Sequence, residues 1–175
     1  MRSLTYLTSD DSALLRGAMR GRSGDASLEI GAGNGGGMAE LALGFGLVVG
    51  TDLALPEQAR EGIARTNLVI ADVASCFRER VFDLVAFNPP YIPTETVEDP
   101  TVDGGASGTE VPLRFLREAL RVVKRGGSVL MLLSSENPSD VFEEECGRSG
   151  FKMTKIAGKR LFYETLSVYE ISSKT

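Results

Sequence analysis

The sequence predicts an α/β protein with a doubly wound, mainly parallel sheet. Short apolar runs alternate with segments of helical spacing along the chain, which is the pattern of strands joined by crossover helices. The run Val81–Phe87 is apolar at almost every position, as in a strand buried on both faces, and Pro89 and Pro90 end it. A glycine-rich loop at 31–37 separates another short apolar run from a helical pattern. Together these features indicate parallel strands, with the loops that follow them at one edge of the sheet.

The individual elements follow from this alternation. We expect strands at Ala26–Ile30, Leu47–Thr51, Leu68–Ala71, Val81–Phe87, Ser128–Leu133, Phe151–Ile156 and Thr165–Ile171. We expect helices after the candidate caps Ser9–Ser12 and at Met38–Leu43, Pro56–Arg65, Val111–Val123 and Ser139–Arg148. The cations and glycines of Lys124–Gly127 are expected to end one helix. A turn rather than a helix joins the last two runs, so the seventh strand should be antiparallel.

Length, charge and composition restrict the function. We expect one domain over residues 1–175, in which residues 1–24 form an N-terminal arm and helix. The 19 Lys and Arg against 24 Asp and Glu give a net charge of -5, without the basic surplus of a free-standing nucleic-acid binder. Cys76 and Cys146 are the two cysteines and there is no histidine, which excludes Cys/His zinc sites and His-based catalysis within this chain.

The N-terminal residues lack the pattern of a secretory signal. No charged start followed by an apolar segment occurs in Met1–Arg20, and no stretch approaches the length of a membrane span. We therefore expect reduced thiols and a cytoplasmic protein.

Polar side chains stand at the ends of four predicted strands. Glu29 precedes the glycine loop, and Asp52, Asp72 and Asn88 end or follow the next three strands. The carboxyl ends of parallel strands border one ligand crevice, so these four side chains should share it. Asp52 and Asp72 could instead serve as helix caps, and the glycine loop could be a structural turn.

The segment Asn88-Pro89-Pro90-Tyr91 suits recognition of a planar amino group. The Asn88 side-chain oxygen and the Pro89 carbonyl can each accept a hydrogen bond from an NH₂ group, and Tyr91 offers a ring face. The two prolines hold the backbone in a narrow conformational range. The alternative interpretation is a turn that ends a strand, with Tyr91 in ordinary packing.

Three carboxylates in one crevice favour a neutral or cationic nucleoside over a polyphosphate, because like charges repel in a poorly screened cleft. Asp52 lies about twenty residues past the loop, where nucleotide-binding sheets place an acidic residue on ribose hydroxyls. Asp72 could contact the adenine amino group. S-adenosylmethionine, with its sulfonium and α-amino group, fits this description.

Five stretches carry a resemblance to a known family. Leu28–Gly35 together with Asn88–Tyr91 resembles class I S-adenosylmethionine-dependent methyltransferases with an NPPY motif, which have a Rossmann-like fold and act on planar NH₂ groups. Tyr6–Leu15, Gly104–Val111 and Glu164–Val168 resemble the short, single-domain eukaryotic and archaeal branch of the HemK-like protein-(glutamine-N5) methyltransferases. That branch modifies the Gly-Gly-Gln glutamine of class I release factors.

The resemblance implies roles for individual residues. Glu29, Gly31 and Gly33 would line the methionine part of the cofactor, and Ser12, which could also be a plain helix cap, would close over it. The remaining implied cofactor contacts are Asp52, Asp72, Val73 and Asn88. The implied catalytic segment is Asn88, Pro89, Pro90 and Tyr91, of which Asn88, Pro89 and Tyr91 would bind the substrate. No metal is expected in this chain.

The resemblance also implies partners, and it shows one departure. A class I release factor would be the substrate, and a small zinc-containing activator subunit would cover an apolar patch. The family's N-terminal arm usually has proline where this chain has Thr8. Two other functions stay open at this point. One is methylation of adenine N6 or guanine N2 in nucleic acid, and the other is a catalytically silent scaffold with this fold.

Overall fold

The computed structural model describes residues 10–54, 67–92 and 104–174. Its helices are α1 (Asp10–Met19), α2 (Gly36–Leu41), α3 (Glu110–Val122) and α4 (Ser139–Arg148). Its strands are β1 (Gly24–Ile30), β2 (Phe45–Asp52), β3 (Asn67–Ile70), β4 (Phe82–Phe87), β5 (Val123–Ser134), β6 (Phe151–Arg160) and β7 (Thr165–Ser173). The arm at residues 1–8 and the helix expected at Pro56–Arg65 lie outside the described residues.

One seven-stranded sheet organises the described chain, in the order β3-β2-β1-β4-β5-β7-β6. Strands β1 to β5 pair in parallel, whereas β7 is antiparallel to both β5 and β6. This confirms the predicted mainly parallel sheet with its antiparallel last strand. Ile30 lies opposite Thr51 on one side and Phe87 on the other, so β1, β2 and β4 end together. The residues that follow these ends therefore meet at one edge, here called the C-terminal edge.

Apolar side chains cover both faces of the central strands. On β4, Val85 and Phe87 belong to one core cluster with Leu116 of α3, while Leu84 belongs to a second cluster with Leu15 of α1. All five side chains are buried. Helices on both faces explain why the central strands read as continuous apolar runs rather than alternating ones. Among the described residues, no helix is long and apolar enough to cross a bilayer.

The expectation that Lys124–Gly127 ends a helix is wrong. Helix α3 ends at Val122, and β5 already begins at Val123, which is buried and pairs with Phe82. The Lys124 ammonium lies 2.8 Å from the Asp83 carboxylate of β4. Gly126 has a φ of 81°, a conformation that glycine adopts at low cost. The ion pair and the buried Val123 side chain thus hold this cationic segment in the sheet.

The buried face of α3 is not formed by its leucines alone. Leu116 is buried, but Leu113 and Leu120 are only partly buried. The other buried positions of the helix are Pro112, Ala119 and Val122. Small side chains let the helix approach the sheet closely, which size-based reading of the sequence does not anticipate.

Candidate functional site

The glycine loop connects β1 to α2 at the C-terminal edge. Gly31, Gly33 and Gly35 all have positive φ values, of 72°, 49° and 79°, which glycine alone adopts readily. The Gly31 and Ala32 N–H groups both donate to the Thr51 carbonyl, at 2.8 and 3.0 Å. The loop is therefore fastened to the end of β2 and forms the wall of a crevice.

Glu29 places a buried carboxyl group beneath this loop. It is 9% exposed, and its Oε2 atom has no hydrogen-bond partner among the described residues. Burial raises the pKa of Glu29 to about 8, although the Met38 N–H and the Arg16 guanidinium act in the opposite direction. A Cβ atom on Gly37 would lie 2.0 Å from Oε1, so only glycine leaves room for the carboxyl group there. An incompletely paired carboxyl group of this kind favours a cationic ligand.

Asp52 joins the same crevice from the end of β2. Its Oδ2 accepts a hydrogen bond from the Gly33 N–H at 2.9 Å, and its Oδ1 accepts one from the Leu53 N–H at 2.8 Å. These two bonds fix the carboxylate against the glycine loop. Each oxygen has a second lone-pair direction, so the group can still accept from a ligand hydroxyl.

The segment after β3 differs from the other strand ends. Asp72 binds Nη1 of Arg114 on α3 through both oxygens, at 2.8 and 2.6 Å, and its side chain is 54% exposed. Val73 is buried yet has a φ of 53°, which is unusual for a β-branched residue. Asp72 thus faces a cation, and the strained Val73 backbone turns the chain directly after it.

Asn88 follows β4 and is held by the first turn of α1. Its Nδ2 atom donates to Oδ2 of Asp11 at 2.9 Å. A carboxylate only accepts, so this contact fixes the amide with its NH₂ group toward Asp11. The Asn88 Oδ1 atom is buried and has no hydrogen-bond partner among the described residues. An oriented acceptor without a partner is what recognition of a ligand N–H requires.

Ser12 stands beside this contact. Its N–H donates to Oδ1 of Asp11 at 2.6 Å, so Asp11 serves the helix start with one oxygen and Asn88 with the other. Sequence reasoning named Asp11 only as a possible cap, because two adjacent aspartates in a capping segment give no sign of which one reaches another strand.

Asn137 supports the Asn88–Tyr91 segment from the end of β5, and sequence reasoning missed it. This buried amide donates from Nδ2 to the carbonyls of Tyr91 and Gly108, at 3.2 Å each. Tyr91 is half-buried and packs against the core cluster of α1. A Cβ atom on Gly104 would lie 2.8 Å from the Tyr91 backbone. The proline segment is thus clamped between two loops.

The crevice residues fit S-adenosylmethionine. Two buried acceptor atoms without a partner among the described residues, Glu29 Oε2 and Asn88 Oδ1, border it. The carboxyl group of Glu29 suits an amino cation, and the fixed Asp52 carboxylate suits hydroxyl groups. The loop glycines allow close approach of a ligand to the backbone.

Comparison with known proteins identifies the family. No family model matches the chain. MJ0928 of Methanocaldococcus jannaschii, assigned as a protein N5-glutamine methyltransferase, is 32% identical over an alignment of 179 positions, gaps included. The alignment covers 93% of this chain and 89% of that protein. The chain belongs to the protein N5-glutamine methyltransferase family. Mouse methyltransferase HEMK2 is 30% identical and covers 95% of this chain and 89% of that protein.

A solved structure extends this relationship to three dimensions. In the E. cuniculi Mtq2–Trm112 complex, described as responsible for methylation of the termination factor eRF1, a chain matches with a TM-score of 0.80 at 26% identity. The match covers 97% of this chain and 98% of that one. The resemblance to glutamine methyltransferases and the Rossmann-like methyltransferase fold are thereby confirmed.

Glu29 should make the stability of the ligand-free glutamine methyltransferase fall as pH rises. The carboxyl group takes up its proton near pH 8 when folded and near 4.5 when unfolded. Between these values the folded state binds the extra proton, so the free energy of unfolding decreases with rising pH, by up to a few kcal/mol. In Glu29→Gln this component is absent. Urea unfolding at pH 5, 6.5 and 8 measures the difference, and parallel curves for the two proteins would contradict the assignment.

Replacing Asp11 by Asn should lower turnover by about tenfold, on the scale of a charge-assisted hydrogen bond. The variant side chain offers both a donor and an acceptor, so it no longer fixes which end of the Asn88 amide faces it. Asp10→Asn is the matched control, because Asp10 binds Lys159 at the surface. Steady-state methyl transfer measures both variants, and equal losses in the two would contradict a specific role for Asp11.

Proposed function

We propose that this protein N5-methylates the glutamine of the Gly-Gly-Gln motif in a class I translation release factor. The observation that carries the proposal is the Asn88 amide, whose Oδ1 is buried without a partner among the described residues while Asp11 fixes its orientation. Family membership supports the reaction type. The eRF1 substrate named for the E. cuniculi complex supports the choice of substrate.

We propose S-adenosylmethionine as the methyl donor, held by the crevice around β1 and β2. Glu29, with Gly31 and Gly33 leaving space above it, would bind the methionine end. Asp52 would bind the ribose, and Ser12 would close over the cofactor from α1. Asp72 and the Val73 backbone would contact the adenine. To bind the adenine, Asp72 would have to break or share its ion pair with Arg114. The free-energy cost is small because both side chains are about half exposed.

The reaction depends on orientation of the substrate nitrogen. A carboxamide nitrogen is a poor nucleophile because its lone pair is delocalised into the carbonyl group. Asn88 Oδ1 and the Pro89 carbonyl would accept its two N–H groups, which turns the lone pair toward the methyl donor. When bound, S-adenosylmethionine supplies an electrophilic methyl group on a sulfonium. Pro90 and Tyr91 would fix the position of these acceptors, since Asn137 holds the Tyr91 carbonyl.

We further propose a small zinc-containing activator subunit that covers an apolar surface at the β3 edge of the sheet. The terminal strand β3 pairs with β2 alone among the described strands. The nearby Leu53 and Ile70 are 57% and 60% exposed. A terminal strand next to exposed apolar side chains suits a protein partner. The Mtq2–Trm112 assembly supports a two-chain enzyme, and the methylation of a translation termination factor described for it supports a cytoplasmic location.

Transfer of labelled methyl groups tests the substrate. The purified protein, with and without a Trm112-type subunit, is incubated with a class I release factor, with its Gln→Ala variant, and with total RNA and DNA. We expect label on the factor that disappears in the Gln→Ala variant. Label only on nucleic acid would instead establish a base amino group as the acceptor. Cofactor binding without transfer to any substrate would indicate a silent scaffold.

Asn88→Ala should lower turnover by about a hundredfold, the scale observed when a preorganised hydrogen-bond group is removed. Cofactor affinity should remain nearly intact, because other residues supply most of the cofactor contacts. Asp52→Ala is the contrasting variant, for which we expect weaker cofactor binding. Calorimetric titration with S-adenosylhomocysteine and steady-state methyl transfer separate the two effects. Equal losses of affinity and turnover in Asn88→Ala would make Asn88 a structural residue.

A further inference from the structure

Two aromatic side chains project from the turn between β6 and β7. Phe162 and Tyr163 are 91% and 90% exposed, the largest exposures among the described large apolar residues. Their ring centroids lie 4.8 Å apart in an edge-to-face arrangement. Adjacent aromatic side chains with almost their whole surface in water are a common feature of protein interaction sites.

This turn lies at the C-terminal edge. Strand β7 is antiparallel to β5, and Leu166 at its start pairs with Ser134 at the end of β5. Phe87, directly before Asn88, pairs with Met131 of the same strand. The start of β7 and the end of β4 therefore flank the end of β5.

The turn is anchored rather than loosely attached. The Leu161 N–H donates to the Glu164 carbonyl at 2.8 Å, and the Ser135 N–H donates to the Thr165 carbonyl at 2.9 Å. The Ser134 hydroxyl donates to the Glu164 carboxylate. The backbone on both sides of the two rings is thus held to the end of β5, which limits the entropy lost when a partner binds them.

Two chains of contacts link the turn to the acceptor site. Lys159 Nζ lies 2.6 Å from Asp10, and the adjacent Asp11 binds Asn88. The segment after Ser134 leads to Asn137, which holds the Tyr91 carbonyl. A macromolecule that delivers a side chain to Asn88 must lie over the rim of the crevice, and the aromatic turn is part of that rim.

We propose that Phe162 and Tyr163 form a docking contact for the protein substrate, with the rings entering an apolar depression on its surface. The proposal rests on the proposed function, because it takes a release factor as the occupant. Exposed cations near the end of β6 accompany the rings, namely Lys155, Lys159 and Arg160, of which Lys159 is paired with Asp10. They favour a substrate surface with acidic groups around the depression.

A nucleic-acid strand is the competing occupant, since rings beside cations also stack bases. The path from the turn to Asn88 argues against it. That path passes Asp11 and the exposed Glu136, whose carboxylates repel a phosphate backbone, while Asp10 offsets the charge of Lys159. The net charge of -5 adds to this repulsion. A protein surface tolerates this mixture of cations and carboxylates more readily.

The test compares the Phe162→Ser/Tyr163→Ser double variant with Leu43→Ser. Leu43 is 83% exposed and precedes β2 at the opposite edge, so its replacement removes a similarly exposed apolar group far from the turn. All proteins are used as full chains, with the activator subunit wherever the wild type requires it. We measure kcat and KM for an intact release factor, its Kd without methyl transfer, the Kd for total RNA, and the Kd for S-adenosylhomocysteine.

We expect the double variant to raise both KM and Kd for the release factor by tenfold or more, with unchanged kcat and cofactor affinity. Leu43→Ser should match the wild type. Unchanged KM and Kd would overturn the proposal, as would a fall in kcat with unchanged KM. Reduced RNA binding with unaltered release-factor binding would assign the rings to nucleic acid instead and would also overturn it. If the wild type binds the factor without methylating it and the double variant binds it less tightly, the docking surface stands and the proposed function fails.

Discussion

The alignment of the parallel strands determines most of what this protein can do. Strands β1, β2 and β4 end together because Ile30 lies opposite both Thr51 and Phe87. A slip of one residue would exchange the two faces of β4, so that Val85 and Phe87 would enter the cluster beside α1 and Leu84 the cluster beside α3, at a cost in side-chain packing. The core therefore enforces the register, and the register places Glu29, Asp52 and Asn88 around one crevice. Packing far from the chemistry is what assembles the polar site.

The polar groups of the site differ in burial and in the partners that hold them. Glu29 is enclosed and only partly compensated, so its charge state depends on what occupies the crevice. Asp52 is fixed by two backbone N–H groups, and Asn88 is fixed by a carboxylate. Asp72 is paired with a cation at the surface, where an ion pair contributes about 1 kcal/mol or less. The carboxyl groups at the ends of β1 and β2 and the amide after β4 thus rely on separate supports.

Most of the fold was predictable from sequence because its signals are local. Apolar runs gave the strands, and the glycines at 31–37 and the prolines after Phe87 marked their ends. The error at Lys124–Gly127 arose because cations and glycines after a helix suit a C-cap equally well. The Lys124–Asp83 ion pair and the burial of Val123 place this segment in a strand, and both depend on neighbouring strands of the sheet. The bounds of α4 were predicted correctly, since a turn-forming Asn-Pro precedes it and Gly150 follows it closely.

The site was predictable at the level of strand ends but not of contacts. The positions of Glu29, Asp52 and Asn88 follow from topology, which sequence spacing reveals. Asp11 and Asn137 act on segments 77 and 46 residues away, and no local pattern encodes such pairings. The ion pair between Asp72 and Arg114 is likewise a long-range contact. Gly37 shows another limit of prediction from sequence, because it contributes to the site by having no side chain. Its missing Cβ makes the space that the Glu29 carboxyl group fills. Tolerance of substitution at Gly37 would therefore report the shape of a pocket, although that residue offers a ligand no side chain of its own.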